Sequence, residues 1–385
     1  PQIRFAGFTD PWEQRKLGEL FEEHSEKDRD DLPALTIIQG GGTVHRDESN
    51  RNLQFDRNSL SNYKVVDTGD FIVHLRSFEG GLEKATCCGL VSPAYHIFRG
   101  KNVDSDFYYL YFRSKRFIDA DLKPHVYGIR DGRSIDIEGM KTIFIPWTNL
   151  AEQRRIGAFF DHLDSLITLH QRKYDKLCVL KKSMLDKMFP KGGSLYPEIR
   201  FAGFTDPWEQ RKLGELASKR IEKNTNRIKE TFTNSAEHGV VSQLDYFDHD
   251  ITNDANIGNY SVVYPDDFIY NPRISAVAPC GPINRNKLGR NGVMSPLYTV
   301  FSVDDTIDKL YLEHYFKTSR WHQFMFLEGN SGARSDRFSI SDSIFFEMPI
   351  QCPVLEEQEL IASFFDHLDS LITLHQRKYC GVASW

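Results

Sequence analysis

The sequence is poor in several features that mark whole classes of protein. Its 385 residues contain only six cysteines, and no two of them form a C-x-x-C pair. A zinc site or a disulfide framework is therefore poorly supported, and a reducing cytoplasm is the location that we expect. No run of about 18 apolar residues occurs, which argues against a membrane-spanning helix. The first residues also lack the basic-then-apolar pattern of a signal peptide.

Signatures of catalysis and metal binding are missing as well. The chain has no G-x-x-x-x-G-K-[ST] loop and no H-E-x-x-H pattern, so neither ATP hydrolysis nor a metal centre is predicted. FAGF at 5–8 lacks the second glycine of a methyltransferase loop, and DPW at 10–12 lacks one proline of an amino-methyltransferase motif. Both segments occur twice, and an enzyme would seldom duplicate an incomplete motif. We therefore interpret them as framework and predict no catalytic residue.

The charge gives only a weak indication of partners. The formal net charge is −6, with 54 acidic against 48 basic side chains. From Arg172 to Lys191, however, seven lysines and arginines stand against two aspartates. Local patches of positive charge, rather than the net charge, govern phosphate binding, so the net charge does not exclude DNA as a partner.

An internal repeat organises the chain. Residues 1–20 and 197–216 agree at 19 of 20 positions, and FFDHLDSLITLHQRKY occurs at both 159–174 and 364–379. The intervening stretches have diverged, although YKVVDTGDFIVHLR still parallels YSVVYPDDFIYNPR. A period of about 200 residues is too long for a solenoid, so the repeat is a duplicated domain with its following helix. Fixed flanks around divergent centres favour exchange of cassettes over simple drift.

Each divergent stretch is predicted to fold as a mixed α+β domain. FIVHL and AYHIF are typical of strands, and SDFYYLYFRSKRFIDADL, which begins with cap-forming residues, is typical of a helix. We place a first domain at 1–150, a central helix at 151–195, a second domain at 196–355 and a C-terminal helix at 356–385.

The central segment predicts one long helix. Residues 152–189 contain no glycine after Gly157 and no proline, and apolar residues recur at spacings of four and three. At 1.5 Å per residue the helix is about 57 Å long. We expect it to pair antiparallel with its second copy. The predicted seam residues are Ile156, Phe160, Leu163, Ile167, Tyr174 and Leu177 in the first copy and Phe365, Leu368, Ile372 and Tyr379 in the second.

These blocks carry a resemblance to a known family. FAGFTDPWEQRKLGEL before each divergent stretch, and the two helix blocks after them, resemble the specificity subunit of type I restriction-modification systems over nearly the whole chain. The resemblance implies two target recognition domains separated by two long conserved helices, which form an antiparallel coiled coil with pseudo-twofold symmetry. It also implies a non-catalytic subunit that reads a bipartite double-stranded DNA site, one half with each domain.

The same resemblance assigns the chemistry to partners. Two modification subunits would dock around the helices and bring an S-adenosylmethionine site for adenine methylation. Restriction subunits would bring translocation and cleavage that depend on ATP and Mg. This chain is expected to bind no cofactor, no metal and no membrane.

Candidate DNA contacts are Arg, Lys, Asn and Tyr residues on loops, because such side chains bind phosphates and base edges. Arg76 aligns with Arg273 across the repeat, as the loop at 128–134 aligns with that at 329–337. The candidates are Arg76, Lys84, Tyr127, Arg130 and Arg133 in the first domain and Arg273, Arg285, Lys287, Arg290, Asn330, Arg334 and Arg337 in the second.

The sequences of the two helix copies diverge after Tyr174 and Tyr379. The first continues with DKLCVLKKSMLDKMFPKGG and the second with CGVASW. We expect the second helix to be shorter by about four turns. We also expect a less stable coiled coil than in other family members, and weaker docking of a second modification subunit.

Two other functions stay open. One is a two-domain adaptor whose coiled-coil rod and variable domains bind proteins, and the other is a methyltransferase with a degenerate motif. Sequence-selective DNA binding that weakens steeply with salt would favour the specificity subunit. Cofactor binding by the isolated chain would favour the enzyme.

Overall fold

The computed structural model of the chain describes residues 1–48, 57–73, 82–127, 134–247, 257–331 and 336–383. The chain divides into two compact units, Pro1–Thr168 and Leu169–Trp385. Each unit is a mixed α+β body with its own apolar core, which confirms the fold class expected from the internal repeat.

The first unit begins with the repeated block and leads into the long helix. Its strands are β1 Glu13–Lys16, β2 Phe21–His24, β3 Leu35–Ile38, β4 Gly42–His45, β5 Lys64–Val66, β6 Phe71–Val73, β7 Glu83–Lys84, β8 Gly89–Val91, β9 His96–Gly100, β10 Val126–Tyr127, β11 Ser134–Ile135 and β12 Phe144–Trp147. Its helices are α1 Leu17–Leu20, α2 Ser105–Phe112, α3 Ile137–Lys141 and α4 Leu150–Lys187.

Antiparallel strands build the first unit around one sheet. Four strands pair in the order β2-β9-β6-β7, and β1 pairs with β12 so that Arg15 lies opposite Ile145. Phe71 and Phe98 lie opposite each other on the central strands, and both are fully buried. Helix α2 packs its Phe112 ring 4.9 Å from that of Phe71. The sheet and α2 therefore enclose the core, while the β1–β12 ribbon joins the repeated block to the start of α4.

The second unit repeats this order of elements. Its strands are β13 Glu209–Lys212, β14 Ala217–Lys219, β15 Phe232–Ser235, β16 Gly239–Ser242, β17 Ser261–Val263, β18 Phe268–Tyr270, β19 Ile283–Arg285, β20 Gly292–Met294, β21 Thr299–Val303, β22 Asn330–Ser331, β23 Phe338–Ser339 and β24 Pro349–Cys352. Its helices are α5 Leu213–Leu216, α6 Gln243–Phe247, α7 Lys309–Tyr315, α8 His322–Glu328, α9 Asp342–Phe345 and α10 Leu355–Ala383, together with the later residues of α4.

The topology of the second unit matches that of the first. Its four-stranded sheet has the order β14-β21-β18-β19, and β13 pairs with β24 so that Arg211 lies opposite Ile350. Phe268 and Phe301 take the central positions that Phe71 and Phe98 hold in the first unit. The registers β6–β7 and β18–β19 also place Lys84 and Arg285 at equivalent positions.

The helix predicted over residues 105–122 is shorter than expected. Helix α2 ends at Phe112, and a separate wide turn of π type covers Phe117–Leu122. The N-cap is Asp104, whose carboxylate accepts a hydrogen bond from the Phe107 amide at 2.9 Å. The break brings Phe117 and Leu122 into the core, where both are fully buried. Packing therefore overrides the local helical pattern at this point.

The two predicted strands also differ slightly from their sequence patterns. The FIVHL strand is seen over Phe71–Val73, and its last two residues lie outside the described ranges. The AYHIF strand begins only at His96, because the Tyr95 amide donates to the Ser92 carbonyl in a turn.

Both long helices predicted from the sequence are present. Helix α4 has 38 residues and α10 has 29, so within the described residues α10 is shorter by 9 residues, about two and a half turns rather than the four expected. Across the described ranges, every helix is too short or too polar to cross a bilayer. Cys87, Cys88, Cys178, Cys280 and Cys352 are free thiols.

Candidate nucleic-acid interface

The predicted DNA contacts fall into three groups in the structure. Four of them lie outside the described residues, namely Arg76, Arg130, Arg133 and Arg334. Others are ion-paired with carboxylates of their own unit. A smaller group is exposed or lines a cleft in the second unit.

Lys84 is held inside the first unit by an ion pair. It lies on β7, its ammonium pairs with the Asp106 carboxylate on α2, and it sits 5.4 Å from the centre of the Tyr109 ring. Only 19% of its side chain is exposed. Lys84 thus ties a strand to the helix beside it.

Arg285, the equivalent of Lys84, is also paired within its unit. Its guanidinium donates to Glu313 at 2.8 Å and to Asp266 at 2.6 Å, and Lys287 reaches the same Glu313 at 3.1 Å. Burial of Glu313 opposes ionisation, but Lys287 and Arg285 outweigh it, so its pKa lies below the ordinary value. Arg290 likewise donates to Glu230 at 3.0 Å. These three cations are largely neutralised by the protein itself.

Arg273 and Arg337 are brought together by the fold. They oppose each other in an antiparallel bridge between the segment after β18 and the start of β23. The Ile274 amide donates to the Asp336 carbonyl at 3.0 Å, which fixes this register. Arg273 is 68% exposed at its side chain and makes a long, exposed ion pair with Asp336 at 3.7 Å. The fold thus brings together two of the predicted DNA contacts that are far apart in the sequence.

Both arginines line a cleft of about 470 Å³ in the second unit. Within the described residues its walls carry two arginines, two tyrosines and several uncharged amides and hydroxyls, and they carry no carboxylate. The polar and charged lining residues are Thr233, Asn234, Ser235, Gln243, Tyr246, Asn271, Arg273, Ser275, Ser295, Tyr298 and Arg337. Such side chains are those that bind phosphates and read base edges.

A buried amide network fixes the floor of this cleft. Asn234 is 1% exposed and donates to the Ile269 carbonyl at 2.7 Å, while Asn271 donates to the Asn234 carbonyl at 2.8 Å. Asn284 donates to the Asn234 side-chain oxygen at 2.6 Å and itself accepts from Lys317. Because each amide is held by a partner, the cleft is preorganised around β15 and β18.

Tyr127 and Asn330 lie on equivalent hairpins. Tyr127 pairs with Ser134 across β10–β11 and is 55% exposed, and Asn330 pairs with Ser339 across β22–β23 and is also exposed. In each unit the hairpin flanks the glycine-bearing loop that the sequence singled out. Arg130 and Arg133 of the first loop and Arg334 of the second lie outside the described ranges, whereas Arg337 is described.

Sequence reasoning missed most of the uncharged residues of the cleft. Gln243, Tyr246, Asn271, Ser275, Ser295 and Tyr298 carry no net charge, so a search for cations passes over them. One signal was available: Asn271 lies within YSVVYPDDFIYNPR, two residues before the predicted Arg273. Gln243 and Tyr246 have no such marker, because α6 has no counterpart among the aligned segments.

The repeated entrance block forms framework in both units. Arg4 makes a two-pronged ion pair with Glu152 at 2.5 and 2.7 Å, and Arg200 makes the same pair with Glu357 at 2.8 Å for both prongs. Trp12 adds an indole hydrogen bond to Glu152 at 3.2 Å. The hydrogen bonds from Arg4 are the main reason why the pKa of Glu152 lies below its ordinary value. Arg4 and Trp12 in the first unit, and Arg200 in the second, therefore anchor the repeated block to the start of the following helix.

A glutamine near the start of each long helix binds the N-terminal end of another helix of the same unit, α2 or α7. Gln153 accepts from the Asp104 amide and Gln358 accepts from the Asp308 amide, both at 2.9 Å. The same side chains donate to the carbonyls of Thr148 at 2.6 Å and Pro353 at 2.8 Å. Gln153 and Gln358 thus make all of these hydrogen bonds within the protein. The neighbouring glutamates Glu152 and Glu357 are paired with arginines, so both residues of each Glu-Gln pair stabilise the fold.

The predicted seam residues differ in burial and in what they contact along the two helices. Within the second unit, the imidazoles of His170 and His375 are in contact, Leu177 packs against the main core, and Ile372 is half-buried. Phe365 and Leu368 are buried in that core. In the first unit Ile156 packs against the core, Leu163 and Ile167 are half-buried, and Phe160 is 43% exposed. Tyr174 is half-buried, and the side chain of Tyr379 lies outside the described set.

Comparisons with known proteins agree with this architecture. Residues 205–382 match the family described as the type I restriction modification DNA specificity domain. The S subunit of the type I restriction-modification system from M. genitalium has the same fold, with a TM-score of 0.53 and 12% identity over 100% of this chain and 96% of that one. No curated protein sequence shows significant similarity to the chain.

Two further solved chains are similar over nearly their whole length. The HsdS subunit from Thermoanaerobacter tengcongensis gives a TM-score of 0.48 at 15% identity, covering 98% of this chain and 95% of that one. A chain from a study of complex assembly and conformational transition of the type I R-M system gives 0.45 at 16%, with the same coverage. Residues 205–382, which are 178 of the 385 residues and lie in the second unit, are thus similar to the type I restriction modification DNA specificity domain.

Proposed function

We propose that the chain reads a bipartite DNA site, with one half-site bound by each unit, and that it serves as the scaffold for modification and restriction subunits. The observation that carries this proposal is the cleft of the second unit. The chain has more acidic than basic side chains, yet within the described residues no carboxylate lines that cleft. A concave surface with two arginines and neutral hydrogen-bonding groups is suited to the edge of a duplex.

Individual roles follow from exposure. Arg273 projects into solvent with 68% of its side chain exposed, which suits a phosphate contact that sets the position of the duplex. Arg337 is only half exposed within the cleft, which suits a directed contact to a guanine edge. Asn271 and Gln243 are the lining residues whose amides match adenine.

The duplication supports reading of two different half-sites. The anchors Arg4–Glu152 and Arg200–Glu357 are the same in both units, whereas the positions around the cleft differ. A constant framework with a variable surface lets each half-site change without affecting the fold. In the first unit, Tyr127 and the predicted contacts Arg76, Arg130 and Arg133 would take the corresponding role.

Methyl transfer and cleavage would belong to the partners. In this assignment the modification subunits hold S-adenosylmethionine, and the restriction subunits use ATP and Mg. Among the described residues, no cluster of His, Cys, Asp or Glu has the arrangement of a metal site. The chain would thus contribute recognition and assembly.

Selection of DNA duplexes from a random library by the full chain tests the proposal, followed by affinity measurements at several salt concentrations. We expect a two-part motif and an affinity that falls steeply with salt. Arg273→Ala should lower the slope of log affinity against log salt by about 1. Arg337→Ala should cost about 1–3 kcal/mol at one base position of a single half-site.

Lys287→Ala is the matched control, because it also removes one positive charge from the second unit. Lys287 is paired with Glu313, so its loss should change affinity much less. Equal effects of all three substitutions would contradict the assignment to the cleft. A chain that selects no DNA but retains protein partners would favour the adaptor function.

A further inference from the structure

A lysine just after α7 is linked to one wall of the cleft through a buried side chain. Lys317 is exposed on the surface two residues past α7, but its ammonium donates to the side-chain oxygen of Asn284. Asn284 is 5% exposed and lies on β19, at the edge of the four-stranded sheet. Its side-chain nitrogen donates to the Asn234 side chain at 2.6 Å and to the Ser235 carbonyl at 3.1 Å. Asn234 and Ser235 belong to the β15–β16 hairpin and line the cleft.

The lysine fixes the orientation of the buried amides that follow it. An ammonium can only donate hydrogen bonds, so Asn284 must turn its oxygen to Lys317 and its nitrogen to the hairpin. The Asn234 oxygen accepts from Asn284, and the Asn234 nitrogen therefore donates away from it, to the Ile269 carbonyl at 2.7 Å. One cation thus sets the direction of each hydrogen bond along the series Lys317, Asn284 and Asn234, which we call the relay of the second unit.

The relay extends to the predicted DNA contact Arg273. The backbone carbonyl of Asn234 accepts from the Asn271 side chain at 2.8 Å, and the Asn271 oxygen accepts from the Arg273 amide at 3.0 Å. The segment that carries Arg273 is thus attached to β15, and β15 is held by Asn284 and Lys317. The position of the exposed arginine therefore depends on side chains that lie behind the cleft.

The first unit has a cation and an acceptor at the equivalent positions. YFRSKRF at 111–117 aligns with YFKTSRW at 315–321, so Arg113 is the equivalent of Lys317. The registers of β6–β7 and β18–β19 likewise make Glu83 the equivalent of Asn284. Arg113 pairs with Glu83, which is 3% exposed and accepts from the Gly40 amide at 2.7 Å. Gly40 lies in the turn of the β3–β4 hairpin, so both units connect a cation to a hairpin through a buried side chain at the sheet edge.

The middle residue of the relay differs in chemistry between the two units. The Glu83 carboxylate can only accept, and it receives hydrogen bonds from its cation and from its hairpin. Asn284 accepts from its cation but donates to its hairpin. A contact needed only for the fold would keep one chemistry, as the arginine–glutamate pairs at the start of the two long helices do. The relay instead varies together with the divergent surface of each unit.

We propose that Lys317 and Asn284 are positioning residues for the half-site that the second unit reads. Without contacting DNA, they hold the β15–β16 hairpin so that the cleft presents its donors and acceptors in one arrangement. Arg113 and Glu83 have the same role in the first unit. The inference rests on the proposed function, because the relay can affect base reading only if the cleft binds DNA. Its signature is a loss of base discrimination without the loss of a phosphate contact.

Selection from a random duplex library by the full chain tests the inference, with three variants compared with the parent. Lys317→Met keeps a long side chain but cannot donate, whereas Lys317→Arg, which installs the residue of the first unit, can donate. Asn284→Asp still accepts from Lys317 but cannot donate to the hairpin. We expect Lys317→Met and Asn284→Asp to reduce discrimination at the same base position of one half-site by about tenfold. Lys317→Arg should keep the discrimination of the parent.

Lys182→Met is the matched control, because Lys182 and Lys317 line the same cavity of about 560 Å³ and each substitution removes one positive charge. The control should keep the base preferences of the parent. Lys317→Met should give the same slope of log affinity against log salt as the control. Hydrogen exchange of the free chain adds a readout that needs no DNA: the β15–β16 hairpin should lose protection in Lys317→Met, while the β13–β24 ribbon keeps it.

The outcomes separate this inference from the proposed function. If the parent selects a two-part motif and Lys317→Met selects it with unchanged preferences, the inference is wrong and the proposed function stands. If the parent selects no motif, the proposed function fails and the inference fails with it. Loss of discrimination at both half-sites, or loss of protection throughout the second unit, would show a purely structural role and would also overturn the inference.

Discussion

The Nδ1 atoms of His170 and His375 lie 3.0 Å apart, and the two histidines hold the same position in the two copies of one 16-residue block. In an antiparallel pair of identical helix segments, a residue lies beside its own equivalent only at the local twofold axis of the two helices. Farther along α4, Lys181 meets Asp369 of α10, so the numbering rises on one helix and falls on the other. The helices therefore run antiparallel about a local twofold axis between the histidines.

Opposite charges at this axis should stabilise the helix pair, and like charges should weaken it. We expect His170→Glu with His375→Lys to be more stable than His170→Glu with His375→Glu by about 1 kcal/mol, the size of a partly exposed ion pair. Urea denaturation of the two double variants and their single variants gives the coupling energy. Additive single effects in both combinations would contradict direct pairing at the axis.

Removal of a buried carboxylate should destabilise only the unit that contains it. Glu152 and Glu357 are fully buried against Arg4 and Arg200, so alanine at either site leaves an arginine without its partner. We expect each substitution to cost about 3–5 kcal/mol in its own unit. Hydrogen exchange resolved by mass spectrometry would show which unit loses protection.

Glu356→Ala is the control for this pair, because Glu356 is exposed and adjacent to Glu357. It should leave protection unchanged within about 0.5 kcal/mol. Loss of protection in both units after either buried substitution would show that the anchors do not act separately.

The fold could be predicted where the information is local or repeated. The 38-residue α4 follows from the absence of glycine and proline and from apolar spacing, and the second unit follows from the first. The end of α2 at Phe112 could not be predicted, because the helical pattern continues through the next ten residues. Burial of Phe117 and Leu122 decides the break, and burial depends on the sheet behind them.

The candidate site was harder to predict because charge alone does not distinguish a DNA contact from an ion pair. Lys287 and Arg273 are both loop cations in the sequence. Only the fold places Glu313, which is 26 residues from Lys287, within 3.1 Å of its ammonium. The bridge between Arg273 and Arg337 also joins segments that are far apart in the chain. Pairing across such distances is a property of the tertiary structure.

Loss of the Phe189 ring should expose the aromatic side chains that it covers in the second unit. Phe189→Ala removes a fully buried aromatic ring that contacts Trp208, Tyr315 and Phe365, and we expect it to cost about 3–5 kcal/mol. Trp208 should become accessible to a fluorescence quencher such as acrylamide. Val179→Ala, at a 70% exposed site on α4, should leave quenching unchanged. Unchanged quenching in Phe189→Ala would mean that another side chain closes this surface.

A buried histidine should make the second unit sensitive to acid. Burial is the main cause that lowers the pKa of His314 to about 4, and the nearby Lys181 adds to the effect. The unfolded chain, in which the pKa is about 6.5, therefore binds more protons between pH 4 and 6.5. Stability is then full above about pH 6.5 and falls as the pH drops toward 4, by about 2 kcal/mol at pH 5.

His314→Leu should remove this acid-dependent loss, because leucine does not titrate. Urea denaturation at pH 5 and pH 7.5, with the transition of the second unit identified by its shift in Glu357→Ala, gives the two free energies of unfolding. His367→Leu is the control, since His367 is exposed on α10 and the same substitution there should leave the difference between the two pH values as in the parent. If His314→Leu kept the full difference, the acid sensitivity would have to come from other groups, and His314 would not be held neutral by its burial.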